Sequence, residues 1–196
     1  MKHVIAAGIV AGLLWAGAAF SPALAVTLKE IDVTCPINGK IFKAYAYQSY
    51  YQSHTRLDLR PIIHGSPSLP PIPVCPDIGF VVYKGNFTKE ETEKIREIVA
   101  TEEFKAERAA NTDHYIAAYV AERLGADPYK LGLRYLFASW EAEDDKPHLL
   151  NQYLELSLKK FGDFLAGDRT YDDRWWNAEL LSANLERRLG RFAEAR

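Results

Sequence analysis

The two cysteines are the side chains best suited to chemistry in this sequence, because a thiol can ligate a metal, form a disulfide or act in redox reactions. Cys35 begins the segment Cys-Pro-Ile-Asn-Gly, and Cys75 begins the segment Cys-Pro-Asp-Ile-Gly. The two segments are near copies of each other and lie about 40 positions apart. A Cys-x-x-Cys pair would favour redox catalysis, and because the chain has none, a structural role is the simpler expectation.

Each of these segments resembles the Cys-Pro-x-Cys-Gly knuckle of a zinc ribbon, in which two knuckles hold one metal ion from opposite sides. Asn38 and Ile78 stand where the second cysteine of each knuckle would be. Isoleucine cannot coordinate zinc and asparagine is a poor ligand for it, so such a site would lose half of its ligands.

Most of the chain after residue 25 resembles a bacterial family of unknown function, in which a Cys-Pro-x-Cys-Gly pair precedes helices like those of tetratricopeptide repeats. The resemblance implies a ribbon-like β region followed by a helical half, and it brings no activity with it. It rests on Arg56–Pro61, the proline-rich approach to Cys75, Gly79-Phe80, Phe87, Leu124–Pro128 and Leu133–Trp140.

The resemblance also implies a replacement for the metal. Two knuckles that once met around zinc would hold Cys35 and Cys75 close together, and an oxidising compartment would join them in a disulfide. Closing a loop of about 40 residues would add about 4 kcal/mol to the free energy of unfolding. We expect no cofactor, but two alternatives stay open. One is free or redox-active thiols, and the other is a residual metal site that adds two of the histidines His54, His64, His114 and His148.

The first 25 residues indicate where the chain is delivered. Met1-Lys2-His3 is a basic start, residues 4–20 carry no charge, and Ala23-Leu24-Ala25 is a cleavage motif, which together are typical of a secretory signal peptide. The alternative is an uncleaved anchor, although an apolar run of about 17 residues is at the lower limit for crossing a bilayer. We therefore expect a periplasmic or secreted protein with no membrane span after cleavage.

Two regions of different composition must position the cysteine segments. Residues 26–87 are rich in Tyr, Pro, Ile and Val, which favour strands and loops, whereas residues 88–196 are rich in helix-forming Ala, Leu, Glu, Lys and Arg. The order predicts an α+β fold, with strands over residues 40–47 and 80–83. The chain has 196 residues, 48% of them hydrophobic, and a net charge of −2, which argues against wholesale disorder and against a dedicated nucleic-acid binder.

The helical region has clear start and stop signals. Thr88 forms a capping box with Glu91 at the start of the first helix. A second helix starts at Asp113 and ends at Gly125, and a third starts at Asp127-Pro128. A long helix is predicted from Pro147 to Leu165, and a last one from Tyr171 to Leu189. Residues 178–195 resemble the middle of a tetratricopeptide repeat, and a plain helical bundle is the alternative.

Stacked helical hairpins commonly serve as concave binding surfaces, so we expect a non-enzymatic protein that binds another protein or a peptide in the cell envelope. Polar and aromatic residues on the first helix of each hairpin would line the groove. Trp175 and Trp176 cannot share one helix face, so one of them is expected to be partly exposed. The candidate groove residues are His114, Tyr115, Asn151, Trp176, Asn177 and Asn184.

Two other functions remain open. A tyrosine cluster could bind cell-wall glycan, although covering the strand layer against the helices is the simpler role for it. An acidic run with a histidine could serve an envelope hydrolase, although a solvated turn is simpler and no sequence motif of an enzyme class is present. The hydrolase interpretation fails if Glu141, Asp144 and the histidines lie apart in solvent. The tyrosines are Tyr45, Tyr47, Tyr50 and Tyr51, and the acidic residues are Glu141, Glu143, Asp144 and Asp145.

We predict that Arg56, Asp58 and Arg60 form an ion-paired strand face or turn.

Overall fold

The computed structural model describes residues 26–65, 69–167 and 170–195, so the predicted signal peptide lies outside the described residues. Within these ranges the chain forms two small antiparallel sheets followed by six α-helices. The predicted mixed α and β architecture, with strands first and helices after, is confirmed. Among the described residues, no helix combines the length and the apolar character that crossing a bilayer requires.

The β region consists of two hairpins. Strand β1 (Thr27–Thr34) pairs with β2 (Ile41–Ser49), and β3 (Gln52–Thr55) pairs with β4 (Pro61–Ile63). The strand predicted over 40–47 is confirmed as β2. In β2 the alternation of Phe42 and Ala44, which are more buried, with exposed Ile41, Lys43 and Tyr45 gives the sheet an inner and an outer face.

The strand predicted over residues 80–83 is wrong. Only Val81 pairs, in a single bridge to Val74, and the amide of Val82 donates to the carbonyl of Pro73. The opposite segment contains several prolines, which have no N–H group to donate, so a regular ladder cannot form there.

Most of the predicted helix boundaries agree with the structure, but the long helix predicted from Pro147 begins at Leu150, after a 3₁₀ turn. The Thr88–Glu91 capping box is present, Asp127 caps the helix that starts at Pro128, and Gly125 and Gly190 adopt the positive φ of helix stops. The helices are α1 (Lys89–Ala100), α2 (Glu102–Ala110), α3 (Asp113–Arg123), α4 (Pro128–Asp145), α5 (Leu150–Gly167) and α6 (Asp173–Arg188), with a 3₁₀ turn at Pro147–Leu149 before α5.

Helix α2 is the one element that the helix signals did not reveal. Thr101 both ends α1 and caps α2, because its side chain accepts a hydrogen bond from the amide of Phe104. The break between α1 and α2 is a single residue, Thr101, and the sequence has no Gly or Pro there that would indicate it. Phe104 is fully buried, which fixes the new helix direction.

Two apolar clusters hold the elements together. The first joins Cys35, Cys75 and Phe80 of the β region to α1, α2, α3 and α4, and the second lies between α4, α5 and α6. Helices α4 and α5 approach closely at Gly132, where an added Cβ would lie 2.6 Å from the ring of Phe161. Helices α4 and α5 both contribute to the two clusters, with Tyr153 of α5 in the first, and α6 packs mainly on α5.

Candidate functional site

The two cysteine segments fold into turns of the same form. In the first, the amide of Cys35 donates to the carbonyl of Lys40 and the amide of Gly39 donates back to the carbonyl of Cys35. Cys75 makes the equivalent bonds with Phe80 and Gly79. Both glycines have a φ of 72°, a backbone conformation that side-chain-bearing residues rarely adopt.

These turns bring the cysteines together, and the predicted disulfide Cys35–Cys75 is present, with 5.6 Å between the Cα atoms. Both residues are buried in the first apolar cluster. Because each sulfur is bonded to the other, neither is available as a thiolate, either for a metal shared with histidines or as a free thiol. In the described part of the chain, no group of three or more His, Cys, Asp or Glu side chains could hold a metal ion.

The turn between β3 and β4 carries a buried ionic cluster, which we call the arginine cluster (Arg56, Asp58, Arg60, Glu143 and Arg188). Asp58 is 2% exposed, and its Oδ2 accepts from Arg188 Nη1 at 2.7 Å and from Arg56 Nη2 at 3.0 Å. Glu143 accepts from the guanidinium groups of all three arginines. The predicted ion-paired turn is confirmed, and its partners on α4 and α6 are what only the structure reveals.

The arginine cluster also sets the charge state of α4. Burial alone would raise the pKa of the Glu143 carboxyl, but hydrogen bonds and charges from Arg56, Arg188 and Arg60 outweigh it and lower the pKa below the usual value. Arg60 also pairs with Asp144 at 2.6 Å. The cluster therefore ties the second hairpin to the C-terminal part of α4, whose acidic residues border a cleft.

This cleft lies between the first hairpin and the α3–α4 pair and has a volume of about 370 Å³. One wall is apolar and comes from the two strands of the first hairpin and the proline segment before Cys75. The other wall is polar and comes from the start of α3 and the end of α4. The apolar wall contains Leu28, Tyr47, Leu69, Pro70, Pro71 and Ile72, and the polar wall contains Asp113, His114, Glu141, Asp144 and Asp145.

Glu141 joins the two helices of the polar wall. Its Oε2 accepts from the backbone amide of His114 at 2.9 Å and lies 3.2 Å from Nδ1 of the same residue. The carboxylate thereby caps the start of α3, where Thr112 makes no side-chain capping bond. Burial alone would raise the pKa of Glu141, but the hydrogen bonds and charge of His114 outweigh it and lower the pKa below the usual value.

The expectation that the acidic run is a solvated turn is wrong for two of its members. Glu141 and Glu143 are half-buried inside the last turns of α4 and face ion-pair or hydrogen-bond partners. The run continues the helix, so Glu143 faces the arginine cluster while the other three carboxylates line the cleft. Asp144 and Asp145 are exposed, and Asp145 forms no ion pair with any described residue.

The six candidate groove residues do not form one surface. His114 lines the cleft, whereas Tyr115 is wrong as a groove residue, because it is buried and its ring packs on Tyr153 at a centroid distance of 5.0 Å. Burial raises the pKa of the Tyr115 hydroxyl above its usual range. Asn151 is exposed on α5 and is not among the residues that line the cleft. Trp176, Asn177 and Asn184 all belong to α6, where the first two are exposed and Asn184 is buried.

Three of the four tyrosines are exposed rather than packed between strands and helices. Tyr45, Tyr50 and Tyr51 each have about half of their surface accessible, so the expected covering role is wrong for them. Tyr47 is half-buried, lines the cleft and donates from its hydroxyl to the carbonyl of Leu69 at 3.0 Å. Its ring lies 5.7 Å from that of Tyr50.

Comparisons with protein families, with curated proteins and with solved structures find no match for this chain. The apolar wall was not predicted from the sequence, since Leu28 and Leu69–Ile72 carry no reactive group and only folding places them opposite α4. The run of prolines at 70, 71 and 73 was the available signal, because such a segment is extended and exposes apolar rings.

Proposed function

We propose that this chain is an exported, non-enzymatic protein that binds an extended segment of another envelope protein or peptide in the cleft. The observation that carries this proposal is the juxtaposition of an apolar wall and a carboxylate-rich wall beside an unpaired strand edge. The disulfide supports export, because such bonds persist in oxidising compartments.

The strand edge favours an extended ligand. Within the described residues β1 pairs only with β2, so the other edge of β1 carries N–H and C=O groups without strand partners. Leu28 of β1 lies in the cleft wall, so a segment added to this edge would place its side chains at the cleft. Such strand addition obtains affinity from backbone hydrogen bonds and specificity from side-chain pockets.

The walls of the cleft define the chemistry of the ligand. The carboxylates of Asp113 and Asp144 are already paired with Arg108 and Arg60, whereas Asp145 forms no ion pair with the rest of the described chain. A lysine or arginine of the ligand would pair with Asp145, and a neighbouring apolar side chain would pack on the proline wall. We therefore expect segments in which a basic residue adjoins an apolar one.

The test is selection of a displayed random peptide library on the protein, followed by fluorescence polarisation with the selected peptide. Asp145→Lys should weaken binding at least tenfold, and binding should weaken as salt concentration rises. Glu97→Lys, which changes an exposed acidic residue on α1, is the matched control and should bind like the parent protein. A peptide methylated at its backbone nitrogens should also lose affinity. Equal binding by the two lysine variants would contradict the proposed site.

The two halves of the chain also support a statement about descent. The equivalent hydrogen bonds and glycine conformations of the two cysteine turns support a degenerate zinc ribbon, and the consecutive packing of α3, α4, α5 and α6 supports a tetratricopeptide-like arrangement. Restoring the second cysteine of each turn, with Asn38→Cys and Ile78→Cys, should create a four-thiolate site under reducing conditions. Stoichiometric zinc by native mass spectrometry is expected, and no zinc would argue against this descent.

The exposed tyrosines favour a second candidate function, glycan binding. Tyr45 and Tyr50 present accessible rings on the first hairpin, and aromatic rings are suitable surfaces for the apolar faces of sugars. Sedimentation with purified peptidoglycan tests this function. Binding that is lost in Tyr45→Ala and Tyr50→Ala would support it, and absence of binding by the parent protein would end it.

The geometric test of the hydrolase alternative gives a mixed result. His114, Glu141 and Asp144 line one cleft, whereas His54, His64 and His148 are exposed and lie outside its lining. However, Glu141 is engaged in capping α3 and Asp144 is paired with Arg60, so both carboxylates have structural partners. Peptidoglycan hydrolysis that is abolished by Glu141→Gln, with the variant still folded, would overturn the non-enzymatic assignment.

A further inference from the structure

The outer face of α6 is apolar and has no partner among the described residues. Trp176 is 56% exposed and Leu180 is 69% exposed, and Ala183 and Arg187 continue the same face at helical spacing. The opposite face of α6 is buried against the second apolar cluster through Ala178, Leu181 and Leu185. Helix α6 therefore has one face buried in the core and one apolar stripe exposed to solvent.

A shallow concavity of about 340 Å³ lies beside the C-terminal half of this stripe. Leu57 of the β3–β4 turn forms part of its wall and is 78% exposed. Asn184 also lines it, is only 8% exposed, and has an Oδ1 that accepts no hydrogen bond from the described residues. A buried acceptor without a donor is costly, and a donor from another molecule would satisfy it.

The charges at the two ends of the stripe are opposite in sign. Asp173 begins α6 and Arg187 lies in its last turn, and neither side chain forms an ion pair with another described residue. Each lies seven positions from Leu180, which is about 10 Å along the helix axis. Trp176 and Asn184 are likewise placed four positions on either side of Leu180. The stripe is thus complementary to itself when it is reversed end to end.

We propose that a second copy of this chain covers this face, with the two α6 helices antiparallel and Leu180 at the two-fold axis. Asp173 then faces the partner's Arg187 at both ends of the contact, as an isologous interface requires. Trp176 enters the concavity of the second copy, where its indole N–H is a donor near Asn184 of the partner subunit. The ring of Trp176 also offers a cation–π contact to the guanidinium group of the partner's Arg187.

The pattern of charges selects this occupant and this direction. A parallel pair would place Asp173 against the same residue of the other copy and Arg187 likewise, which is repulsive at both ends. A different protein would require neither the opposite charges at equal distances from Leu180 nor a tryptophan placed to fill the concavity. The stripe shares no lining residue with the cleft, so self-association goes beyond the proposed function.

Charge exchange at the two ends of the stripe tests the pairing. Sedimentation equilibrium of the protein purified from the periplasm of an expression host should show a concentration-dependent dimer. Asp173→Arg and Arg187→Asp should each dissociate at least tenfold more readily, because each variant places like charges opposite one another. A mixture of the two single variants should form a heterodimer, since every facing pair is then opposite in charge. Lys159→Glu, an exposed charge change on α5, is the matched control and should dimerise like the parent protein.

Recovery of the dimer on mixing shows that these two positions lie in the interface and that the single variants are folded. Weaker association of each single variant shows the antiparallel direction, because in a parallel pair each change would only replace one like-charge contact by another. A parent protein that stays monomeric at millimolar concentration would overturn the proposal. Single variants that associate as tightly as the parent protein, or that fail to pair when mixed, would overturn it as well. Leu180→Glu, which would place two carboxylates at the two-fold axis, should give a monomer.

Discussion

Removal of the Asp58 carboxylate should be among the most damaging single changes in this chain. Its Oδ2 accepts from Arg188, Arg56 and the indole Nε1 of Trp140, the last at 3.1 Å. Asp58→Ala would leave the buried guanidinium group of Arg188 without one of its two carboxylates. Breaking a buried pair in this way costs about 3–5 kcal/mol, because the remaining charge stays desolvated.

Urea unfolding followed by tryptophan fluorescence measures this loss, with Trp140 in contact with the site. For a domain of this size, 3–5 kcal/mol corresponds to a fall in Tm of roughly 6–20 °C. Asp32→Ala is the matched control, because Asp32 pairs with Lys43 at 2.8 Å on the exposed surface, where such pairs contribute about 0–1 kcal/mol.

A double variant separates lost attraction from an orphaned charge. Adding Arg188→Met to Asp58→Ala removes the unpaired cation while Glu143 keeps its two other arginines, so the double variant should recover part of the loss. Equal destabilisation by Asp58→Ala and Asp32→Ala would refute this account of the arginine cluster.

Three further changes test other parts of the fold. Cys75→Ser should lower the free energy of unfolding by about 4 kcal/mol, measured by urea unfolding of the oxidised parent and the variant, and no difference would mean that the bridge does not constrain the unfolded chain. Gly132→Ala should destabilise the protein by about 1–3 kcal/mol, because the added Cβ would press on Phe161. Gly162→Ala has open space around it and should stabilise the helix by up to about 1 kcal/mol. The melting temperatures of the two variants should therefore shift in opposite directions. The pKa of Glu143 is lowered in the folded state, so its contribution to the free energy of unfolding is present above the usual pKa of 4.5 and is lost as pH falls below that value. In unfolding experiments from pH 7 to pH 3, Glu143→Gln should therefore make stability depend less on pH.

The arginine cluster and the disulfide secure the same β region in different ways. The disulfide joins the two cysteine turns within the first apolar cluster, where the side chain of Arg96 on α1 also donates to the carbonyl of Ile37. The arginine cluster attaches the second hairpin to α4 and α6 by charge. Neither hairpin is large enough to be stable alone, because isolated two-stranded sheets are marginal in water.

Local signals in the sequence were sufficient for every helix except α2. Thr88, Asp127, Gly125 and Gly190 act through their own backbone and the nearest turn, so their effect can be inferred without the rest of the molecule. The same local logic failed for residues 80–83, where the apolar composition favours a strand but the facing prolines cannot complete a ladder.

The candidate site depended on folding to a greater extent. His114 was predicted as a binding residue, but its partner Glu141 is 27 positions away and the facing proline segment lies before Cys75. Tyr115, its neighbour in sequence, is buried because α3 turns that side toward α5. The type of a polar or aromatic residue does not show whether its side chain lies in a groove or in a core. Only the packing of α3 distinguishes the two.

The amino-acid sequence alone indicated the α+β order and most helix boundaries other than those of α2, and the resemblance of its two cysteine segments to zinc-ribbon knuckles implied the pairing of Cys35 with Cys75. These features depend on short-range backbone preferences and on a pattern that recurs within the chain. Only the tertiary structure decided that Arg56, Asp58 and Arg60 meet Glu143 and Arg188, that a proline wall faces the end of α4, and that α6 keeps an uncovered apolar face. Such arrangements depend on contacts between residues far apart in the chain, which the packing of α4 against both apolar clusters brings together.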